Sequence, residues 1–339
     1  MQEPEPPPAQ NSAHTTATAL LKGARTILAV SLVPASIAGA VGAALWAINS
    51  GIDPVMVIVP ISFGVLLFVA IMERILPYRR EWNRSHGDLR TDALYYVTQI
   101  LVGALLVPIF GMLAVIVSDW LPAGLGHSLW PTHWPILAQV VLASIVREFF
   151  DYWAHRSMHH FDWLWRLHAT HHSATRVYWL NATRAHPGEV AYRFFFAWVL
   201  PLSQLGASAD VLALTTVAAI VADAFQHANI AIRLGPLNWV FSIGNLHRWH
   251  HSRDRHEADS NYGNVYIFWD IVFGTRYLPD DREPPEQVGI AGLDAFPRGF
   301  FAQLISPFRW RRIQRDSAGL AQDAEATKKG PVALVPPGP

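Results

Sequence analysis

The feature that most constrains this chain is a series of long stretches without a charged residue. Thr26 to Ile48 (23 residues), Pro54 to Met72 (19) and Ala93 to Ser118 (26) contain no Asp, Glu, Lys or Arg. About 20 apolar residues in a helix match the roughly 30 Å hydrocarbon core of a bilayer. A fourth run starts near Trp134, continues to Ile145, and then gains Arg147, Glu148 and Asp151 on one face. The alternative is four buried core helices of a soluble protein, and their combined apolar surface would need a core too large for 339 residues. Charged residues make up 15% of the chain, against about 25% in soluble domains. The expected fold class is therefore all-α, an integral membrane protein with about four transmembrane helices.

A weaker apolar segment, Phe194 to Ala222, is broken by Pro201 and the polar stretch Ser203 to Asp210. It reads as a helical hairpin that dips into the membrane and returns. Lys22 and Arg25 precede the first run, and Arg79, Arg80, Arg84 and Arg90 follow the second. The turns after the first and third runs carry no Lys or Arg. Cytoplasmic loops collect basic residues, so the N-terminus and everything after the fourth crossing are expected in the cytoplasm. The expected organisation is a disordered tail (1–20), transmembrane helices (21–135), a histidine-rich helical cap (136–280), a basic and aromatic membrane-surface segment (281–315), and a second disordered tail (316–339). With no retention signal evident, a bacterial inner membrane is the expected location.

Lys+Arg and Asp+Glu are both 26, which argues against a nucleic-acid partner at the level of global charge. There is no cysteine, so disulfides, thiol catalysis and cysteine-ligated metals are excluded. Histidine carries the remaining chemistry. Eleven of the 16 histidines lie between His155 and His251, where even spreading would place about five. His155 and His159 are four apart; His168, His171 and His172 form one H-x-x-H-H; His247, His250 and His251 form another. On a helix, positions i, i+3 and i+4 share a face, so each set can offer two or three imidazoles to one point. Neutral imidazole is a ligand for Fe, Zn, Cu or Ni. Its second ring nitrogen needs an acceptor, and Asp151, Asp162, Glu189, Glu257, Asp259 and Asp270 are near in sequence. Eight or more imidazoles exceed one metal's four to six positions and suit two. The Glu-x-x-His pairs of ferritin-like di-iron bundles are absent.

The set H-x3-H (155–159), H-x2-H-H (168–172) and H-x2-H-H (247–251) resembles the signature of the fatty acid hydroxylase / sterol desaturase superfamily. Leu164-Trp165, Arg184-Ala-His186-Pro187-Gly-Glu189, Asn261-Tyr262-Gly263 and Trp269 to Thr275 are also similar to its landmarks. The resemblance covers roughly residues 140–280. It implies a membrane oxidoreductase with two histidine-bound iron ions. Such an enzyme uses O₂ and external electrons to hydroxylate or desaturate a lipid C–H bond. It also implies a separate electron-transfer protein, a cytochrome or ferredoxin with its reductase. Carried over by position, the expected metal ligands are His155, His159, His168, His171, His172, His247, His250 and His251, with His227 as a ninth. Some relatives have a further histidine four residues before the ninth, where this chain has Asp223. His186, His160 and Asp223 are further candidates. No catalytic residue beyond the metal centre and no organic cofactor site is expected. A metal transporter and a zinc-dependent hydrolase are the rivals. Transport sites sit on broken helices at the bilayer midplane, and H-E-x-x-H is absent.

Overall fold

The structure is a computed structural model that describes residues 9–120, 129–196 and 205–329. Its helices are α1 (Ala9–Asn49), α2 (Pro54–Ile75), α3 (Leu89–Trp120), α4 (Ile136–His160), α5 (Asp162–His172), α6 (Pro187–Phe194) and α7 (Ala209–Gln226). Short helices α8 (Asn245–His250), α9 (Arg255–Ala258), α10 (Phe268–Val272) and α11 (Phe300–Leu304) follow, and then α12 (Trp310–Lys329). Local chemistry sets several starts. The Asp53 carboxylate accepts from the Val55 amide and Pro54 opens α2, as expected at an N-terminus. Ser208 caps α7 through the Val211 amide.

Among the described residues, four helices are long and apolar enough to cross a membrane: Ile27–Asn49, Pro54–Ile75, Leu89–Leu113 and Ala209–Gln226. The first three coincide with the uncharged runs. The fourth does not. The run beginning near Trp134 belongs to α4, whose second half buries Arg147, Glu148, Asp151, His155 and His159. The fourth candidate span is instead α7, expected from sequence as one arm of a weak hairpin. The stretch 197–204, which holds Pro201, lies outside the described residues, and α7 itself is unbroken. It is the packing centre of the bundle. Val221, Ala222 and Phe225 meet Leu32, Val33, Val69 and Met72. Val211, Leu214 and Val217 meet Val41, Val57 and Ala143. Alanines at 213, 218, 219, 222 and 224 let the neighbouring backbones approach closely. By contrast the outer faces of α2 (Val55, Val59, Phe63, Leu67) and α3 (Val97, Ile100, Leu101, Leu105) are exposed and apolar, as lipid-facing surfaces must be.

Both expected tails are shorter than the sequence reading placed them. Helix α1 starts at Ala9, within 1–20, and α12 continues to Lys329, within 316–339. Ala, Leu, Gln, Glu and Lys in these stretches are strong helix formers. Residues 1–8 and 330–339 lie outside the described residues.

The cap is tied to the cap-side ends of α2 and α3 by buried polar groups. The Glu73 carboxylate accepts from the amides of Trp179 (2.7 Å) and Asn229 (2.8 Å). Asp88 takes a two-pronged bond from Arg176 (2.7 and 2.8 Å). Asp92 accepts from Arg184 and from the Tyr178 hydroxyl. Asn229 holds the Arg79 backbone from both sides. The basic loop 79–90 therefore lies on the same side of the bundle as the histidines.

Candidate metal centre

Helix α4 presents His155 and His159 on adjacent turns of one face. Helix α5 presents His168, His171 and His172, and α8 with its following residue presents His247, His250 and His251. His227 stands at the C-cap of α7. The fold gathers these nine into two buried groups: His155, His159, His168, His172 and His250, and His171, His227, His247 and His251. Within each group the ligand atoms lie within 4.8 Å of one another. The groups abut. The His172 and His251 rings are 4.6 Å apart, and His168 stacks on His171 at 5.2 Å.

The hydrogen bonds around the groups fix which nitrogen faces inward. Nδ1 of His155 bonds the Tyr262 carbonyl (2.8 Å), His171 that of Arg184 (3.2 Å), and His250 that of Ser260 (2.7 Å). A carbonyl only accepts, so Nδ1 of each carries the proton and Nε2 presents a bare lone pair to the interior. Nε2 of His155 then faces Nε2 of His168 at 3.1 Å, and Nε2 of His171 faces that of His227 at 3.1 Å. Three more such contacts, at 2.9 to 3.1 Å, join His168–His172, His227–His247 and His247–His251. Among the described residues, the buried Nε2 atoms of His159 and His250 have no hydrogen-bond partner. One proton satisfies one such pair; a cation at the focus of each group satisfies all its lone pairs together. The donor set, all neutral nitrogen, fits a divalent transition metal.

Electrostatics agree. Burial holds these imidazoles below their usual pKa, His227 down to about 3. They are therefore in the neutral, metal-binding form at pH 7. Two carboxylates stand behind the five-histidine group. Glu189 bonds Nδ1 of His168 (2.8 Å) and Asp259 bonds Nδ1 of His159 (3.1 Å). Burial pushes the Glu189 carboxyl up to about 8, a push that a cation among the imidazoles opposes. Asp270 works at one remove. It accepts from the Tyr262 and Gly263 amides (both 2.8 Å) and so fixes the carbonyl that holds His155. The other acidic candidates serve elsewhere: Asp151 pairs with Arg193, Asp162 with Arg166, and Glu257 with Ser252 and Arg282.

Three further candidates are not brought into either group. His186 caps α6: its Nδ1 accepts from the Gly188 amide, so its Nε2 carries the proton it gives to the Leu304 carbonyl. No lone pair is left for a metal. His160 points outward and is exposed, packed on Phe161. Asp223 lines a small cavity of about 30 Å³ beside His155, His171, His227 and His247. Sequence reasoning missed Arg193, which lines the same cavity. Its signal was available, as a lone cation four residues after Glu189 and just before an apolar run. The carbonyl acceptors of Tyr262, Ser260 and Arg184 leave no trace in a sequence, because every residue has a carbonyl.

The family model described as fatty acid hydroxylase matches residues 140–275. The chain is 34% identical over 252 residues to the ornithine lipid hydroxylase OlsE of Rhizobium tropici, covering 73% of this chain and 74% of that protein. It is 32% identical over 137 residues to the alkylglycerol monooxygenase of Homo sapiens, covering 40% of this chain but only 30% of that protein. A very-long-chain aldehyde decarbonylase of Oryza sativa subsp. indica, GL1-11, is 28% identical over 156 residues, 45% of this chain and 58% of that one. No solved structure matches the chain.

Proposed function

Because the chain belongs to the fatty acid hydroxylase family, we propose that it hydroxylates a C–H bond of an ornithine-lipid-type substrate at two histidine-bound irons. The overall reaction is R–H + O₂ + 2 e⁻ + 2 H⁺ → R–OH + H₂O. The electrons come from a separate one-electron carrier protein. The observation that carries this reading is the pair of abutting groups, five imidazoles and four, with inward lone pairs. Iron bound there would supply the activation of O₂. His155, His159, His168, His172 and His250 would hold one ion, and His171, His227, His247 and His251 the other.

The chain's own residues do the rest. Glu189, Asp259 and the Tyr262, Ser260 and Arg184 carbonyls orient the rings. Burial of all nine keeps water from the oxidising centre. The basic loop 79–90 on the cap side supports a cytoplasmic cap, and the similarity to a Rhizobium protein supports a bacterial inner membrane. Exposed Phe301 and Phe308 beside Arg309 support contact of the 281–315 segment with the membrane surface.

The test is elemental analysis and Mössbauer spectroscopy of protein from iron-57-grown cells. About two irons per chain are expected, and His171→Ala and His250→Ala each disrupt one group. Lipids of expressing cells should gain one oxygen. A protein without iron, or with a single zinc indifferent to both substitutions, would overturn the proposal.

A further inference from the structure

Segment 261–275 carries a single charged residue, Asp270, and its carboxylate is fully buried. The large side chains that α10 exposes are apolar: Phe268 (49%), Ile271 (38%) and Val272 (52%). Trp239 and Val240 are exposed on the adjoining segment. They join the patch through the bond from the Ile267 amide to the Val240 carbonyl (3.0 Å). A contiguous apolar patch marks a protein or a membrane contact. Depth, rim and backbone select the membrane.

The patch is docked low on α4. Trp269 Nε1 donates to the Ile145 carbonyl (3.1 Å), and Glu148 accepts from the Asn264 and Val265 amides. Ile145 belongs to the uncharged run of α4. Val140 and Ala143, just before it, pack with Val41, Val57, Val211 and Leu214 of the candidate spans α1, α2 and α7. The outer face of α4 is apolar at this level too. Leu137, Val141, Ile145 and Trp153 are exposed along one stripe, and Phe149 of the same stripe lies against Trp269 and Phe273 (ring centroids 4.8 and 6.4 Å). Above the patch stands a rim of Trp–Arg pairs, Arg156 over Trp153 (5.4 Å) and Arg276 over Trp239 (3.9 Å). Trp collects at the headgroup level of membranes, and Arg reaches for it. Arg276 follows Thr275, whose hydroxyl meets that of Tyr152 (3.0 Å). Tyr152 lies about 10 Å further along α4 than Ile145. The backbone is turned inward, as non-helical chain at membrane depth must be. The amides of Tyr262 and Gly263 bond Asp270, the Ser242 amide bonds the Val265 carbonyl, and Gln226 donates to the Ser242 and Gly263 carbonyls.

We propose that segment 264–273 is a re-entrant wedge that puts Phe268, Ile271 and Val272 among the acyl chains of the cap-side leaflet, about 10 Å below the Trp–Arg rim. The wedge also reaches the metal centre. Asp270 of α10 fixes the Tyr262 amide, and the Tyr262 carbonyl holds His155. Anchoring the wedge in lipid thereby sets the height of the five-histidine group above the hydrocarbon. The inference goes beyond the proposed reaction and does not depend on iron.

The experiment is spin-label accessibility of the full-length protein in nanodiscs, with single cysteines introduced into a chain that has none. Labels at Phe268→Cys and Val272→Cys are compared with Leu101→Cys on the exposed face of α3 and with Glu286→Cys, whose side chain is 81% exposed. At the wedge, the ratio of collisions with O₂ to those with a water-soluble nickel complex should exceed that at Glu286→Cys several-fold and match that at Leu101→Cys. A ratio like that of Glu286→Cys would place the patch in water and overturn the proposal. Labels reached by neither reagent, or dipolar broadening that vanishes on dilution with unlabelled protein, would assign the patch to a protein partner or a second copy and overturn it equally. The wild type gives an independent reading. Lipid carrying a diazirine at mid-chain should crosslink within 264–273, and adducts confined to α1, α2, α3 and α7 would refute the wedge.

Discussion

Replacing Gly263 by Ala should cost this protein one metal site, although Gly263 touches no metal candidate. A Cβ built there would lie 2.3 Å from the Tyr266 carbonyl oxygen and 3.0 Å from Asp270 Oδ2. Carbon and oxygen normally approach no closer than about 3.3 Å, so the segment must move by about 1 Å. It has little freedom to do so. Asp270 is fully buried and holds the Tyr262 and Gly263 amides and the Thr275 hydroxyl. Gln226 donates to the Gly263 carbonyl (2.9 Å), and Glu148 accepts from the Asn264 and Val265 amides. Overpacking costs about 1–3 kcal/mol, and breaking one buried bond to Asp270 adds about 1–3 kcal/mol. The total is roughly 2–6 kcal/mol, which at about 2 °C per kcal/mol lowers Tm by roughly 4–12 °C. Because the Tyr262 carbonyl orients His155, the movement also loosens the five-histidine group. Thermal unfolding in detergent and iron per chain read the two effects. Gly299→Ala is the control, since its added Cβ meets nothing within 4 Å and its φ is −89°. If Gly263→Ala matched that control in both Tm and iron, the coupling from Asp270 to His155 would be refuted.

Acid should destabilise the metal-stripped protein. The nine imidazoles have folded pKa values depressed by burial, so below pH of about 6.5 the unfolded chain takes up protons that the folded one refuses. Stability is full above that pH and falls by about 1.4 kcal/mol per imidazole per pH unit as pH drops. Chemical unfolding of apoprotein at pH 7.5 and 5.5 would show it, and equal midpoints would contradict it. Arg176→Ala should cost about 3–5 kcal/mol by stranding the buried Asp88 carboxylate, read as lost Tm with the iron stoichiometry of the folded fraction unchanged. Asp259→Ala should weaken iron at the five-histidine group about tenfold or more, seen by chelator competition.

Much of this was legible in the sequence because two periodicities are strong. Uncharged runs of bilayer length announced three spans, and i, i+3, i+4 spacing announced which imidazoles share a face. What was misread had a common cause. Helix α7 is only moderately apolar and owes its place to small alanines packed between α1, α2 and α4, which no local count of hydrophobicity reveals. Helix α4 began like a span, but its charges turn inward to tertiary partners such as Arg193. His186 looked like a ligand in a motif. Only the geometry shows both of its nitrogens committed to the backbone of Gly188 and Leu304.

The two histidine groups are built from similar rings but not supported alike, and this should make them unequal in affinity. In the five-histidine group, the outward nitrogens of His155, His159, His168 and His250 all have acceptors, two of them carboxylates. In the four-histidine group His171 has a carbonyl acceptor. Among the described residues, the buried Nδ1 atoms of His247 and His251 have no hydrogen-bond partner. An outward acceptor fixes the ring and raises the basicity of the inward nitrogen, worth about 10–100-fold in metal affinity. The four-histidine site should therefore release its metal first under a chelator, giving a half-loaded protein before an empty one. Its composition can be read by pairing the titration with His250→Ala, which removes a ligand of the tighter site. Simultaneous loss of both metals from the wild type would mean that the two groups bind as one unit and that their unequal support carries no energetic weight.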